Sequence, residues 1–310
     1  SLHLLKKEGQ LVFITPRSFT NGSNFDEFRN NITTNNSIDY IHLFNSRVEI
    51  FKNDNIRQEN VIFKITKDVS QKDILISNSN CIEQLDFEHL KPQKYSSKLV
   101  LNQFSKKVIA IPEDKKSMEL YLDLLKLEKT FTEHGYRIST GKIVQFRDKN
   151  VTDVKLPNSI LIYNSQHISS KHLDLIVDND SKKNKFYIIN SDHKKWLIPN
   201  QNYIFLRRIS VKESKHRIAL GIYYKNNTSE LVAVENHLNY IYHADREISK
   251  LEIVGLANYL KSESVNNYFS IISGVTQINA SDIRDLPIPT KAYLEELALS
   301  YEGSADSSSI

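Results

Sequence analysis

The run Gln10 to Thr15 (QLVFIT) constrains the fold most: it is short, continuously apolar, rich in β-formers and stopped by Pro16. Such a run predicts a strand buried on both faces of a parallel sheet. Arg17-Ser18-Phe19-Thr20-Asn21-Gly22 then stands beyond the strand's carboxyl end, where open α/β sheets place their ligands. FDEFRNN at 25–31 predicts a short helix. YIHLF at 40–44, VEIF at 48–51 and NVIFKIT at 60–66 predict three more strands, the last two forming a hairpin across polar residues 52–59. Roughly the first 70 residues therefore read as the last part of an α/β sheet without its opening strands. Weaker strand patterns follow at Asp73–Ile76 and Lys107–Ile111.

The clearest helical pattern spans Ser117 to His134, with Ser117 as cap, Met118, Tyr121, Leu122, Leu125 and Leu127 on the apolar face, and Gly135 at C′. The domain boundary is placed here. Beyond it the pattern turns to β, at Tyr136–Ile138, Lys142–Phe146, Ser159–Tyr163, Phe186–Ile189, Tyr203–Arg207, Ile218–Tyr224 and Leu231–Glu235. Helices return at Ile248–Ser262 and Val265–Ile272. The polar turn Ser273–Asn279 and a last helical turn lead to Pro287 and Pro289. Its neutral donors and acceptors suit reading the edges of a polar polymer, and equally suit an ordinary surface connection.

Composition narrows the function classes. Forty per cent hydrophobic and 25% charged residues are those of a globular chain, and 310 residues suffice for two domains. No apolar run reaches the roughly 18 residues of a membrane span. The lone Cys81 leaves no internal disulfide, which fits a reducing, cytoplasmic setting. The start has no signal-peptide layout and reads like the interior of a helix, so the chain is expected to be cut from a longer protein. A net charge of +4 and a pI near 8.8 permit nucleic-acid binding without requiring it.

No GxGxxG, GxxxxGK[ST], G-x-S-x-G or H-E-x-x-H motif occurs. His237, His243 and Asp245 match no common metal spacing, so no metal is expected. Acidic-x-Lys tripeptides recur at 113–115, 153–155, 180–182 and 192–194, too freely to mark a nuclease. Basic residues interleaved with small and aromatic ones are more suggestive. Gly141 stands between two strand patterns, where backbone could approach a phosphate with Lys142 and Arg147 nearby. Arg207, Arg208, Lys215 and Arg217 add further cations for phosphate contacts. A solvated face is the other reading of the same residues.

Taken together, LVFITPRSFTNG (11–22), FR (28–29), IHLFNSR (41–47), QEN (58–60), STGK…FR (139–147), FLRRISVKESKHRIA (205–219), ENHLNYI (235–241), GLANYL, NNYF and GVTQINASDIRDLPIP (255–289) resemble adenine-specific DNA methyltransferases of type II restriction–modification systems, the BsuBI/PstI-like group. The resemblance covers nearly the whole chain. It implies a Rossmann-like α/β catalytic domain that binds S-adenosylmethionine, followed by an α+β, β-rich target-recognition domain. Such enzymes swing adenine out of the duplex and methylate its N6 amine. The family's FxGxG-like cofactor turn and NPPY-like tetrapeptide are absent from this sequence, and both precede the LVFITPRSF segment in the family.

The chain is therefore expected to be a back half: residues 1–116 the end of the catalytic domain, 117–300 the recognition domain and 301–310 a flexible tail. It should not methylate alone or hold S-adenosylmethionine tightly. Its implied partners are double-stranded DNA, the missing N-terminal half and a cognate restriction endonuclease. The resemblance implies Phe51, with Phe44 as fallback, as the aromatic stacked on the extruded adenine. It places Arg17 and Ser18 toward the DNA backbone or adenine pocket, and Ser139, Thr140, Gly141 and Lys142 at phosphates or groove. Thr276, Gln277 and Asn279 are the base-reading candidates, since amides suit adenine's paired donor and acceptor. Asn236 and His237 are as well explained by structural roles. Two alternatives stay open: a stand-alone specificity module like type I specificity subunits, and an RNA- or nucleotide-directed enzyme. The N-terminal α/β piece argues against the first, and the missing glycine turn against the second.

Overall fold

The computed structural model describes residues 1–51, 58–85, 90–101, 108–208, 217–274 and 279–306, without the side chains of 23, 191–193 and 302–306. The chain divides into two compact units, one of Ser1–Leu124 with Asn267–Val275, the other of Leu125–Asn266 with Thr276–Ile310.

The first unit holds β1 (Gln10–Pro16), α1 (Asp26–Thr33), β2 (Asn36–Phe44), β3 (Asn60–Lys67), β4 (Ile74–Ser79), β5 (Gln93–Tyr95), α2 (Ser97–Val100) and α3 (Lys115–Leu125). The strands form one sheet in the order β1-β3-β2-β4-β5. β3 runs antiparallel to β1 and β2, whereas β2 and β4 are parallel. Period-two alternation turns Val61, Phe63 and Ile65 of β3 and Ile74 and Ile76 of β4 into the core. The α/β character expected for this region holds in a mixed sheet rather than a parallel one.

Four local expectations are corrected. β1 is not buried on both faces: among the described residues it pairs with β3 alone, and Val12 and Ile14 stay 60% and 50% exposed. Val48–Phe51 forms a turn rather than a strand, because β3 already pairs with β1 on one side and β2 on the other. Ile109 and Ile111 are buried, but residues 108–111 join no strand. The start carries a single 3-10 turn, Leu2–Leu4, instead of a helix interior.

On the other face of this sheet His42 is 2% exposed. Its Nδ1 meets Ser77 Oγ at 2.7 Å and its Nε2 meets Ser79 Oγ at 3.0 Å. Burial without a carboxylate partner lowers its pKa from 6.5 to about 4. The folded imidazole is thus neutral while the unfolded one protonates below pH 6.5. Stability should fall as pH drops through this window, by up to about 3 kcal/mol for this group. NMR titration of the His42 ring should find its midpoint near the lower value. A midpoint near 6.5 would contradict the buried, uncharged assignment.

The second unit contains β6 (Tyr136–Thr140), β7 (Val151–Thr152), β8 (Ser159–Tyr163), β9 (Phe186–Ile188), β10 (Ile198–Pro199), β11 (Tyr203–Arg207), β12 (Leu220–Tyr223), β13 (Leu231–Val234) and β14 (Leu238–His243). Helices α4 (Lys250–Leu260), α5 (Glu263–Ile272), α6 (Ala280–Arg284) and α7 (Lys291–Asp306) follow, with the last residues of α5 counted in the first unit. A mixed sheet has the order β10-β13-β8-β9-β7, and an antiparallel sheet the order β12-β11-β14-β6. Tyr203, Phe205, Tyr223, Tyr240, Val232, Val234 and Leu238 from the two sheets share one core. Stacked and edge-to-face rings, such as Tyr203 on Phe205 at 6.0 Å and Tyr203 on Tyr240 at 5.6 Å, fill it.

Here too the sequence pattern is revised. The helix expected to His134 ends at Leu125. The next residues pair instead with 286–288, through Phe131 N to Leu286 O and Ile288 N to Lys129 O, which satisfies their backbone outside a helix. Lys142–Phe146 is not a strand: Ile143 makes one bridge to Glu235, and a turn follows. β14 was not expected, although it is central to its sheet. α7 continues to Asp306, through part of the expected tail.

Gly255 sets how closely α4 and α7 approach. A Cβ there would lie 1.8 Å from Leu294 O. Gly255→Ala should lower the urea midpoint, with a net loss of about 2 kcal/mol despite alanine's better helix propensity. An unchanged midpoint would show that the two helices separate freely.

Candidate nucleic-acid interface

In the first unit the β1–β3 ladder ends where Pro16 faces Asn60, and Arg17 N donates to Glu59 O at 2.9 Å. Both side chains turn inward from this point. Arg17 Nη1 contacts Glu59 Oε2 at 2.9 Å, with 1% and 0% of the two side chains exposed. Arg17 Nη2 donates to Ser270 O at 2.7 Å and Ile271 O at 2.6 Å, the last turn of α5. Arg17 is therefore held inside the first unit. A guanidinium needs many acceptors, the end of a helix leaves carbonyls without partners, and the two satisfy each other in the core.

Arg29 works similarly on the segment after β1. It donates to Phe19 O at 2.8 Å and Gly22 O at 2.9 Å and pairs with Asp26. Desolvation pulls its pKa below the ordinary guanidinium value, partly offset by Asp26. Ser18 is half-buried in the 3-10 turn Arg17–Thr20 between these anchors. Phe51 is half-buried in a turn, not at a strand end. Phe44 is buried on β2, edge-on to His42 at 4.7 Å.

The second unit distributes its expected contacts unevenly. Ser139 and Thr140 lie half-buried on β6, where Thr140 Oγ1 donates to Asn239 Oδ1 at 2.8 Å. Gly141 is buried against backbone: a Cβ would sit 2.1 Å from Glu235 O and 2.6 Å from Val234 O. Its smallness serves backbone packing between two strands. Lys142 and Arg147 are exposed. Lys142 Nζ donates to Lys195 O at 3.1 Å, and the Arg147 guanidinium lies 5.1 Å from the centre of the Phe146 ring. Phe146 is itself 77% exposed.

Arg207 is half-buried and donates to Ser165 O and Ile168 O, and Arg208 to Asn236 O. Arg217 is 2% exposed. Asn279 is exposed at the start of α6, its backbone N–H donating to Asp282 Oδ2 at 3.0 Å. Lys215, Thr276 and Gln277 lie outside the described residues. Asn236 and His237 have structural partners, Ile143 O and Glu235 respectively.

Of the expected contact residues that are described, Lys142, Arg147 and Asn279 are exposed and Arg207 and Arg208 half-buried. An exposed phenylalanine under a guanidinium adds a flat stacking face beside the cations. Phe146 was legible only as an aromatic in an otherwise polar stretch. Glu59 and Arg47 were legible only as charges beside predicted strands. Among the described residues, no group of His, Cys, Asp or Glu is arranged to hold a metal, and no helix is long and apolar enough to cross a membrane.

Comparison with known proteins bears on the whole chain. Residues 1–51 match the family described as Eco57I restriction-modification methylase. Over 301 residues the chain is 33% identical to the type II methyltransferase M.PstI of Providencia stuartii, covering 95% of this chain and 58% of that protein. Over 302 residues it is 33% identical to the type II methyltransferase M.BsuBI of Bacillus subtilis, covering 96% and 59%. The resemblance to type II methyltransferases holds. The chain spans under two thirds of the length of these methyltransferases, and the matched stretch includes both units. In fold, the chain is similar to the type IIL restriction–modification enzyme MmeI, whose structure was solved in complex with DNA. The TM-score is 0.55 at 11% identity, over 96% of this chain and 42% of that one.

Proposed function

We propose that this chain is the DNA-recognition part of an S-adenosylmethionine-dependent, N6-adenine DNA methyltransferase of a restriction–modification system. The observation that carries the reading is the 33% identity to type II methyltransferases along 95% of the chain. The open edge of β1 supports it: an apolar strand, exposed on both faces, in the stretch that matches a methylase family. Exposed edges of this kind are normally paired or covered. In our reading, an upstream catalytic half adds its strands there, the 1–116 segment completes its domain, and 117–300 recognises the target, ahead of a short tail.

The residues present do not fit the cofactor. The first unit's glycines form no cradle after a strand: Gly9 precedes β1, Gly22 follows a 3-10 turn, and Gly274 is filled by Arg17 and Glu59. No step is therefore routed through S-adenosylmethionine on this chain, and alone it should be inactive. Its own work is to bind and position bacterial, hence cytoplasmic, double-stranded DNA, which a cognate endonuclease would also read. Lys142 and Arg147 supply phosphate contacts, with weaker help from Arg207 and Arg208. Asn279, with Thr276 and Gln277, supplies amide and hydroxyl contacts to base edges. Phe51 remains the candidate to stack on an extruded adenine. A type I-like specificity module would have no use for the sheet of the first unit.

Fluorescence anisotropy with a labelled mixed-sequence duplex tests the reading. Affinity should fall linearly on a log–log plot against salt. Lys142→Ala with Arg147→Ala should reduce that slope by about 2, because each lost phosphate contact removes roughly 0.9. If no duplex binds at low salt, even with the upstream half and S-adenosylmethionine added, the proposal fails.

A further inference from the structure

The loop that follows β6 in the second unit is held at both ends, and Phe146 stands out from its middle. Ile143 is fully buried; its N–H donates to Val234 O at 3.2 Å and its carbonyl accepts from Asn236 N at 2.9 Å. Arg147 N and Asp148 N then both donate to Val144 O at 3.0 Å, which turns the chain back. At the far end Asp148 Oδ1 accepts from Asn150 N at 3.0 Å, and Asn150 O accepts from Ile188 N at 2.9 Å just before β7. Backbone and polar groups make this bracing, and the Phe146 ring is left 77% exposed.

A ring held in water forgoes the burial that ordinarily stabilises an aromatic side chain. The described contact of this ring is with a cation, the Arg147 guanidinium at 5.1 Å from its centre. Lys142, Arg147 and Lys149 are exposed along the same loop, whereas Asp148 turns its Oδ1 to the Asn150 amides. Lys142 Nζ donates to Lys195 O at 3.1 Å, so the exposed Lys194 and Lys195 stand at the base of the loop. A flat apolar ring among cations matches a polyanion that carries flat apolar faces, which is the chemistry of nucleic acid. In an intact duplex those faces are covered by their neighbours. A side chain reaches them only by entering a base step, and phenylalanine is among the residues that do so. A braced loop suits insertion, because little conformational freedom is left to lose when the ring enters.

We propose that Phe146 is a wedge that enters one base step of the bound duplex, while Lys142, Arg147 and Lys149 hold the phosphates flanking the opened step. This rests on the DNA-recognition reading above and adds a second mode of discrimination to it. Hydrogen bonds to base edges report identity directly, whereas a wedge reports how easily a step unstacks, and pyrimidine–purine steps unstack most readily. The chain therefore favours such a step at a position that it reads without a polar contact to the bases.

The test uses the full chain. A duplex that the wild type selects from a randomised pool is labelled with 2-aminopurine at one position after another, and its fluorescence is followed as protein is added. Fluorescence should rise severalfold at the wedged step. That rise should be lost in Phe146→Ala and kept in Phe146→Leu, which retains an apolar wedge; a base extruded for another reason would keep its signal in both. Phe146→Ala should weaken binding about tenfold, the scale of one lost base stack. It should leave the slope of log affinity against log salt unchanged, because no phosphate contact is removed. Its urea midpoint should also stay in place, since the ring is exposed. If the duplex binds but the wild-type scan is flat, or Phe146→Ala gives the wild-type pattern, the wedge is overturned and the recognition reading stands. If no duplex binds at low salt, even with the upstream half and S-adenosylmethionine added, the recognition reading and this inference fall together.

Discussion

A guanidinium and a carboxylate removed from water at the end of one strand ladder constrain the first unit more than any other interaction. Desolvation is costly for both Arg17 and Glu59, so the surrounding chain must supply acceptors within hydrogen-bond reach. It does so with carbonyls from residues some 250 positions away in sequence, the |i−j| separations being 253 and 254. A local arrangement between strand ends thereby dictates where a distant helix stops. It also explains why α5 belongs to the first unit at its end although it begins in the second.

The same economy recurs elsewhere. Arg29 gathers carbonyls from Phe19 and Gly22, so the segment after β1 is shaped by an arginine at each side of it. In the second unit the buried Glu252 receives Tyr136 Oη–H at 2.5 Å and both Nη groups of Arg246 at 2.7 and 2.8 Å. Burial alone would raise its carboxyl, but hydrogen bonds from Arg246 and Tyr136 outweigh it and hold the pKa below the ordinary range. Some of the charges in this chain serve internal geometry rather than surface potential. A mildly basic net charge is therefore a poor guide to which cations meet a ligand: Arg17, Arg29 and Arg217 are inside, and Lys142 and Arg147 are outside.

Much of the fold was legible in the sequence. Strand-like runs located β2, β3, β4, β8, β9, β11, β12 and β13 to within a few residues, and the helical pattern at Ile248–Ser262 located α4. The errors share a cause. Val48–Phe51 and Lys142–Phe146 have strand-like composition, but strand formation needs a free partner edge, which composition does not report. The helix after Ser117 ended early because residues 129–131 found backbone partners at 286–288. β14 spans Leu238–His243, where Tyr240 and Tyr242 alternate with Asn239 and Ile241.

The sequence by itself determined the kinship, a 33% identity that runs over 301 residues to a type II methyltransferase, and the absence of a cofactor-binding glycine turn. These are matters of residue identity and spacing along the chain. Only the tertiary structure decided which polar residues are accessible. It buried Arg17 against the end of α5, packed Gly141 against the backbone of Val234 and Glu235, and left Phe146 and Arg147 exposed. The reason is physical: burial and hydrogen-bond satisfaction depend on partners brought together by the fold, and a charge reads the same in sequence whether water or a helix end receives it.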